Sequence, residues 1–293
     1  MVELERKGGR VDVKINGELF TSYHFGPGVV RPFLNPVIGP TGKSVVRELF
    51  DREELPDHDH IHHRGILVAH GDVNGVDNWS EEEGHGFIRH NAFKKFSSGN
   101  LVAEITAENF WVSKEEKKIL TEIRTMKFYS VTEIRMIDFE ITFLATDGAV
   151  KFGDTKEGGI ISVRLATSLR ADRLGRIENA RGGINESGTW GKQAEWCDYS
   201  GPINSDVVGL AIFDHPNNFR YPTYWHVRNY GLMTANPFAL SYYHNDKNID
   251  GSYILEAGRE LKFCYRVYIH RGNAQEGRVA EAYNNYVSLS QVR

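Results

Sequence analysis

Alternation of apolar and polar residues, interrupted by turn formers, is the feature that most constrains how this chain folds. The run Val11–Ile15 alternates and is followed by Asn16-Gly17, a pair that favours the positive φ values of a type I′ turn. Longer alternating runs follow one another at Leu101–Val112, Ile119–Val131 and Thr132–Thr146. A period of two indicates strands that bury one face, and consecutive strands of this kind predict an antiparallel meander.

Further strands are predicted wherever short apolar runs lie between turn residues. They cover Glu18–Phe25, Ser44–Leu49, Ile66–His70, Phe87–Phe96, Gly159–Thr167, Val207–Phe213, Gly231–Thr234, Tyr253–Leu255 and Glu260–His270. The last two flank Glu256–Arg259, which predicts a hairpin turn between them. Strands do not alternate with helices along the chain, which argues against a parallel α/β sheet.

One helix is predicted, near the C-terminus. Asn273 can cap it and Glu276 stands at its third position, the pattern of a capping box. Its apolar face would carry Val279, Tyr283, Tyr286 and Val287. We therefore predict an all-β protein: a single domain over residues 1–293, built as one large antiparallel β-sandwich with long functional loops and one C-terminal helix.

Composition excludes several classes of protein. The 293 residues carry a formal charge of −4, which argues against a general role in binding nucleic acid. No apolar run approaches the roughly 20 residues that a membrane-spanning helix needs. The two cysteines, Cys197 and Cys264, are far apart, as suits a reducing compartment. With no apolar stretch in MVELERKGGR, no secretory signal is indicated, and we expect a cytoplasmic protein.

Histidines cluster in one tenth of the chain. Seven of the twelve lie between positions 58 and 90, namely His58, His60, His62, His63, His70, His85 and His90. Imidazole serves as a proton carrier near neutral pH, as a hydrogen-bonding group or as a metal ligand. As proton carriers we favour His63 and His85. The alternative without catalysis is a polar loop whose rings bind backbone and carboxylates.

A metal site is a further interpretation of the same segment. His60 and His62, separated by one residue, would share a face if they lay on one strand. Such a pair suits Zn, Fe or Cu. The third ligand would be His226 or Glu157.

Two polar segments follow. The loop after His70 carries Trp79, whose ring could stack on a ligand or line an ordinary surface turn. Asp154, Lys156 and Glu157 lie within four residues between glycines. If they enter a cleft, the lysine would tune the carboxyl pKa values; otherwise they form an exposed charged turn.

Residues 214–238 hold the densest mixture of aromatic, imidazole, guanidinium and amide groups. Ring faces and fixed polar groups are what a polyhydroxylated ligand needs. The aromatic residues alone could be explained by core packing. The candidate ligand contacts are His215, Tyr224, Trp225, Arg228 and Asn236.

Six stretches between about positions 30 and 240 resemble one known family. They are Pro36–Gly42, His62–Gly65, Ala69–Gly75, Phe152–Gly158, Trp196–Gly201 and Phe213–Phe238. Together they resemble the family labelled PmoA-like, named after a methane-oxygenase subunit. The resemblance implies a fold similar in outline to the galactose-mutarotase-like β-supersandwich, in a family whose members often accompany sugar oxidoreductases. It transfers no individual catalytic residue to this sequence.

The favoured hypothesis is an enzyme that acts on a sugar or an oxidised sugar by acid/base chemistry, as an epimerase, isomerase or lyase. His63 and His85 would be the acid and base, with His226 in reserve. Asp154 and Glu157 would be the partner carboxylates. Ligand oxygens would be bound by Arg64 and Lys156.

The alternatives are a non-catalytic carbohydrate-binding module and a histidine-ligated, metal-dependent oxygenase or hydrolase. We expect a small carbohydrate as the ligand and neither nucleic acid nor membrane as a partner. The sequence leaves open the cofactor, the sugar and whether the chain forms a homo-oligomer.

Overall fold

Strands make up most of the computed structural model, which describes residues 1–49 and 59–290. In chain order they are β1 (Val2–Lys7), β2 (Arg10–Ile15), β3 (Glu18–His24), β4 (Phe33–Val37), β5 (Ile66–His70), β6 (Phe87–Ser97), β7 (Val102–Val112), β8 (Lys118–Tyr129), β9 (Arg135–Leu144), β10 (Val150–Phe152), β11 (Gly158–Arg164), β12 (Arg176–Asn179), β13 (Trp196–Ile203), β14 (Asp206–Asp214), β15 (Trp225–Arg228), β16 (Leu232–Ala235), β17 (Tyr253–Leu255) and β18 (Glu260–Arg271). Most of the predicted strands are therefore present, within a few residues of their predicted ends.

The strands form two large antiparallel sheets. The first sheet has the order β1-β2-β3-β4-β5-β11-β16-β15, and the second has the order β12-β13-β14-β18-β9-β8-β7-β6. β10 pairs with β17 in a separate ribbon. The pairings between these strands are antiparallel, which confirms the prediction of an all-β antiparallel fold.

A shared apolar core joins the two sheets. It takes residues such as Val13, Val68 and Val163 from the first sheet and Met126 and Phe263 from the second. Burial of apolar surface on this scale is the main stabilising contribution to such a sandwich. The pleat leaves alternate residues of each sheet on the face turned away from this core. We call that side the outer face of each sheet.

One strand prediction and one hairpin prediction were wrong. Ser44–Leu49 contributes only isolated bridges, in which Ser44 pairs with Ile38 and Val46 with Leu165. The Ser44 hydroxyl accepts from the Val37 N–H of β4 and donates to the Val46 carbonyl. β17 pairs with β10 and β18 pairs with β9 and β14, so Glu256–Arg259 does not close a hairpin. Local alternation does not specify which strand becomes the neighbour.

The predicted C-terminal helix is present but begins later than predicted. α1 (Asn185–Thr189) and α2 (Leu240–Tyr243) are short, and α3 (Val279–Ser290) is the C-terminal helix. Asn273 and Glu276 do exchange the hydrogen bonds of a capping box. They close a turn, however, and Arg278, with φ of 51°, separates that turn from α3. None of the described helices is long and apolar enough to span a membrane.

The central strands of the first sheet are buried on both faces. Every residue of β5, β11 and β16 is buried. Their inner face packs in the core, whereas their outer face is covered by loops and by the polypeptide around α1 and α2. Polar side chains on this outer face are therefore shielded from water, and they form the site described below.

A buried ion pair lies inside the sandwich on β8. Glu122 and Arg124 are at most 1% exposed. The Arg124 Nη2 donates to the Glu122 Oε2 at 3.0 Å, and the Trp111 Nε1 donates to the same carboxylate at 2.6 Å. The Arg124 Nη1 donates to the carbonyl of Pro32, just before β4, at 3.2 Å. Such a pair is stable only while both charges remain.

We predict that Glu122→Gln lowers the free energy of unfolding by about 3–5 kcal/mol, because it leaves the Arg124 charge buried without a counter-charge. Urea unfolding monitored by tryptophan fluorescence measures the loss. Glu140→Gln, which breaks the exposed Lys262–Glu140 pair of the same sheet, is the matched control and should cost about 1 kcal/mol or less. Equal losses in the two variants would contradict the prediction.

Candidate functional site

The register of four strands defines a polar row on the outer face of the first sheet. Ser162 on β11 pairs with Leu67 on β5 and Thr234 on β16, and Thr234 pairs with His226 on β15. Residues paired in this way point to the same side. Since the flanking residues Val163 and Val227 belong to the core, this row faces outward.

A second row, one step along the strands, carries two arginines. Arg164 pairs with Leu232, which in turn pairs with Arg228. Two rows two residues apart share one face of the pleat. The outer face therefore presents hydroxyl, imidazole and guanidinium groups side by side, and the Thr234 Oγ1 donates to the Ser162 Oγ at 3.0 Å.

Three parallel rings form a stack beside Arg164. His60 lies parallel to His63, with centroids 4.8 Å apart, and parallel to Tyr230 at 5.1 Å. The Arg164 guanidinium lies 4.7 Å from the Tyr230 ring centroid, within the range of a cation–π interaction. We call His60, His63 and Tyr230 the histidine stack.

Asp59 fixes the loop that carries His60 and His63, which we call the histidine loop. Arg47 donates to its carboxylate at 2.9 Å and Arg164 at 2.7 Å. Arg47 also donates to the backbone carbonyl of His60 at 2.8 Å. Charge-assisted hydrogen bonds of this kind are about twice as strong as neutral ones. They hold the histidine loop against β11.

Trp79 closes one side of the histidine stack. Its ring is 2% exposed and lies 4.9 Å from the His63 ring and 5.3 Å from that of His62. Gly158 permits this approach, since a Cβ there would come within 3.0 Å of the Trp79 ring in a backbone conformation with φ of +76°. The predicted ring of Trp79 is thus part of the site, in contact with β11.

A second group of rings lies beyond His226. Trp190 follows α1 and contacts His226 edge-on at 6.3 Å between centroids. Tyr243 of α2 contacts Trp190 at 5.4 Å and stacks on Tyr224 at 5.3 Å. We call Trp190, Tyr224 and Tyr243 the helix-side rings. The polar row lies between these rings and the histidine stack.

Glu157 lies between the two ring groups. Its charge raises the pKa of Tyr243, where burial and Asp154 have larger effects. It also raises the pKa of Tyr230, against the opposite effect of nearby arginines and after the larger effect of burial. The carboxylate is about half exposed and pairs with Lys156 at 2.8 Å. It is therefore a solvent-accessible carboxylate at the rim of the site.

Asn236 holds the segment that carries Glu157. It is fully buried, and its amide donates to the carbonyls of Thr155 at 2.9 Å and Gly158 at 3.0 Å. Its side-chain oxygen accepts from the Phe238 N–H. We predicted a ligand contact here, but every polar atom of the side chain is used to position the backbone.

Burial keeps three histidines of the site neutral by lowering their pKa values. It lowers the pKa of His226 to about 3, helped by Lys156 and Arg228, and lowers that of His62 to about 3, helped chiefly by Arg31. The pKa of His63 is also lowered, mainly by burial. The Arg164 Nη1 lies 3.3 Å from the His63 Nδ1. Because a guanidinium only donates, that nitrogen accepts and the ring carries its proton on Nε2.

Arg228 and Arg64 are held by carboxylates near the site. The Arg228 Nε lies 3.1 Å from a Glu186 oxygen, and Glu186 and Asn229 exchange hydrogen bonds at 2.8 and 3.1 Å, which ties α1 to β15. Arg64 binds Glu81 with two hydrogen bonds of 3.0 and 2.6 Å. Both arginines are half-exposed, as binding to ligand oxygens requires.

Two of the predicted site residues serve as packing or anchoring groups instead. Trp225 is fully buried in the core and donates to the Ala194 carbonyl at 2.9 Å, because it points to the opposite face of β15 from His226. Asp154 accepts the N–H groups of Ser241 at 3.1 Å and Gly251 at 2.7 Å. Trp225 therefore cannot contact a ligand, and the Asp154 Oδ2 is used to anchor backbone, whereas the buried Asp154 Oδ1 has no hydrogen-bond partner in the described part of the chain.

Two predicted histidines lie outside the ring groups. His85 bonds the Gly86 carbonyl at 2.7 Å and packs on Phe87. His215 contacts Tyr286 of α3 at 5.5 Å and lines a groove of about 550 Å³ on the outer face of the second sheet. His215 therefore lies on the second sheet, away from the other predicted ligand contacts.

The histidine segment does not have the geometry of the predicted metal pair. His60 and His62 lie in a turn before β5, not on a strand, and His60 and His63 stack face to face. Within residues 1–49 and 59–290, no three His, Cys, Asp or Glu side chains are grouped to hold a metal ion. His58 lies outside the described residues.

Several site residues were missed by the sequence analysis. Ser162 and Arg164 alternate with Ile161 and Val163, and this alternation was a usable signal of a polar outer face. Trp190 carries no comparable signal, since it follows a short helix in a glycine-rich region. Its position depends on α1 being tied to β15.

The fold and the site together define the class of protein. It is an antiparallel β-sandwich that carries a polar site between two groups of rings, on the outer face of one sheet. The chain belongs to DUF6807, a family of unknown function, whose model matches residues 10–284. That description names no activity, so the PmoA-like label remains a resemblance. No curated protein matches the chain.

Solved structures with a similar outline include three bacterial proteins. A galactose 1-epimerase from Lactobacillus acidophilus is 10% identical, with 93% of this chain and 99% of that chain covered and a TM-score of 0.43. A galactose mutarotase-like protein from Clostridium acetobutylicum is 7% identical, with 93% and 99% covered and a TM-score of 0.40. An α-galactosidase from Geobacillus stearothermophilus is 12% identical with a TM-score of 0.40, and the match covers 93% of this chain but 41% of that chain.

The buried neutral imidazole of His226 predicts a loss of stability in acid. Its folded pKa of about 3 lies below the unfolded value of about 6.5, so below pH 6.5 the unfolded chain binds a proton that the folded chain does not. Urea unfolding at pH 7, 6 and 5 should show that His226→Asn loses about 1 kcal/mol less than wild type between pH 6 and 5. Parallel pH profiles for the two proteins would show that this ring does not stay neutral.

Proposed function

We propose that the chain is a carbohydrate-active protein whose ligand lies on the outer face of the first sheet, between the histidine stack and the helix-side rings. One observation carries the proposal. Segments from distant parts of the sequence bring rings, hydroxyls, imidazoles and guanidinium groups to one face of β5, β11, β16 and β15. Rings fit the C–H faces of a sugar, and fixed polar groups fit its hydroxyls.

The charges of the site suit proton transfer. Epimerisation, isomerisation and elimination all begin with the removal of a proton from the substrate. Glu157, an accessible carboxylate paired with Lys156, is the proposed base. Guanidinium groups such as Arg228 would stabilise the negative charge that then develops on a substrate oxygen.

The neutral histidines take a different part from the one expected of them. With a pKa of about 3, His226 is unprotonated at neutral pH and cannot be a general acid in its resting state. Neutral imidazole donates from one nitrogen and accepts at the other. We therefore assign His63 and His226 to hydrogen bonds with ligand oxygens, and proton removal to Glu157.

The test uses deuterium exchange, which needs no knowledge of the product. A thermal-shift screen of free sugars, 3-keto sugars and sugar acids finds the ligand, since a ligand at 100 times its Kd adds about 2.7 kcal/mol of stability. The ligand is then incubated with the protein in D₂O and followed by ¹H NMR. An enzyme that removes a proton from a substrate carbon replaces one C–H by C–D.

We predict that Glu157→Gln slows this exchange by about 10²–10⁴-fold while the ligand still binds. Glu140→Gln, which breaks a similar lysine–glutamate pair on the second sheet, is the control and should leave the rate unchanged. Exchange at the wild-type rate in Glu157→Gln would refute the assignment of the base. Binding without exchange in the wild-type protein would refute proton removal from a substrate carbon and favour a carbohydrate-binding module.

A further inference from the structure

Three neighbouring rings carry buried polar atoms with no hydrogen-bond partner. The Trp190 Nε1, the His226 Nδ1 and the Tyr243 hydroxyl are all shielded from solvent, and none bonds to any residue in the described part of the chain. The Trp190 ring touches both of the others, with centroid separations of 6.3 and 5.4 Å. His226 itself is only 4% exposed.

This arrangement costs free energy in the unliganded protein. A buried polar group without a partner is destabilising by about 1–3 kcal/mol, and native proteins keep few of them. Trp190 and Tyr243 are half-buried as residues, so each ring has one part near solvent although its polar atom is buried. A ligand that bonds to them would remove the cost.

The chemistry of the three atoms selects an acceptor. The Trp190 indole N–H can only donate, the Tyr243 hydroxyl can donate, and a neutral imidazole donates from one of its nitrogens. Lys156 and Arg228, the charged side chains of the described residues that act on His226, are both cationic, whereas the charges that act on Tyr243 are those of the carboxylates Asp154 and Glu157. The donors match an oxygen that carries no proton, the cations favour negative charge at the His226 end of the group, and a carboxylate has four lone-pair positions.

We propose that Trp190, His226 and Tyr243 form a subsite for the carboxylate of an acidic sugar, such as a uronic or aldonic acid. This inference rests on the proposed carbohydrate site and narrows its ligand class. The rest of the sugar would extend from this subsite toward Glu157 and the histidine stack. A neutral sugar would leave the donors only partly bonded and would bind less tightly.

The test compares each acid with its neutral parent. Isothermal titration of a panel of uronates and aldonates, including D-glucuronate and D-galacturonate, is run beside D-glucose, D-galactose and the other neutral parents. We expect the wild-type protein to bind at least one acid about tenfold more tightly than its parent. Raising the salt concentration should weaken the binding of the acid only, because salt screens charge.

Trp190→Phe keeps the ring and removes the N–H donor. It should weaken binding of the acid about tenfold, as expected for a lost hydrogen bond to a charged group, and change binding of the neutral parent less than twofold. Because the N–H is unpartnered, the unliganded variant should melt no lower than wild type. Trp196→Phe, on the second sheet beneath α3, is the matched control and should not affect either ligand.

The outcomes separate this proposal from the one on which it rests. Equal affinity for acids and parents, or equal weakening of both by Trp190→Phe, would overturn the carboxylate subsite and leave the carbohydrate site standing. A panel in which neither acids nor neutral sugars bind would overturn both. Tyr243→Phe gives a second check, since it removes a hydroxyl and should reproduce the selective loss.

Discussion

The contacts of Arg164 are the constraint on which the candidate site depends. One guanidinium pairs with Asp59, contacts the His63 ring and lies over Tyr230, and thereby joins the histidine loop, β11 and the turn after β15. The side chain is about 1% exposed, so its buried charge is stable only because these groups surround it. Without it, the loop would keep its contacts with Arg47 but would lose its link to β11 and Tyr230.

The same burial determines what the site can do chemically. A cluster of imidazoles suggests proton carriers, but rings packed against arginines and shielded from water hold no proton at neutral pH. Under the proposed function, proton transfer therefore falls to the accessible carboxylate of Glu157, and His63 and His226 act as fixed hydrogen-bonding groups. Such a site would position its ligand first and carry out chemistry at its rim.

Alternation along the chain was sufficient to predict most of the strands, because a one-residue slip would turn every core residue outward, but β1, β4, β10, β12, β13 and β15 were missed. It could not predict strand partners, as β17 shows, since pairing depends on residues far apart in sequence. The alternation also held information about side-chain direction that the prediction of the site did not use. Trp225 and His226 are adjacent in a strand and must face opposite sides, so the sequence already excluded their joining one site. The role of Asn236 could not be predicted from the sequence, because only the fold brings its partners at positions 155 and 158 close to it.

The hydrogen bond between Arg164 and His63 has a consequence for recognition. Because the guanidinium fixes which nitrogen of the imidazole accepts, the opposite edge of the ring always offers N–H. The ring cannot exchange tautomers to suit a visiting molecule, as a freely solvated histidine would. The His63 N–H would therefore select ligands that place a lone pair opposite it. This selectivity would be the same at mildly acidic and mildly alkaline pH.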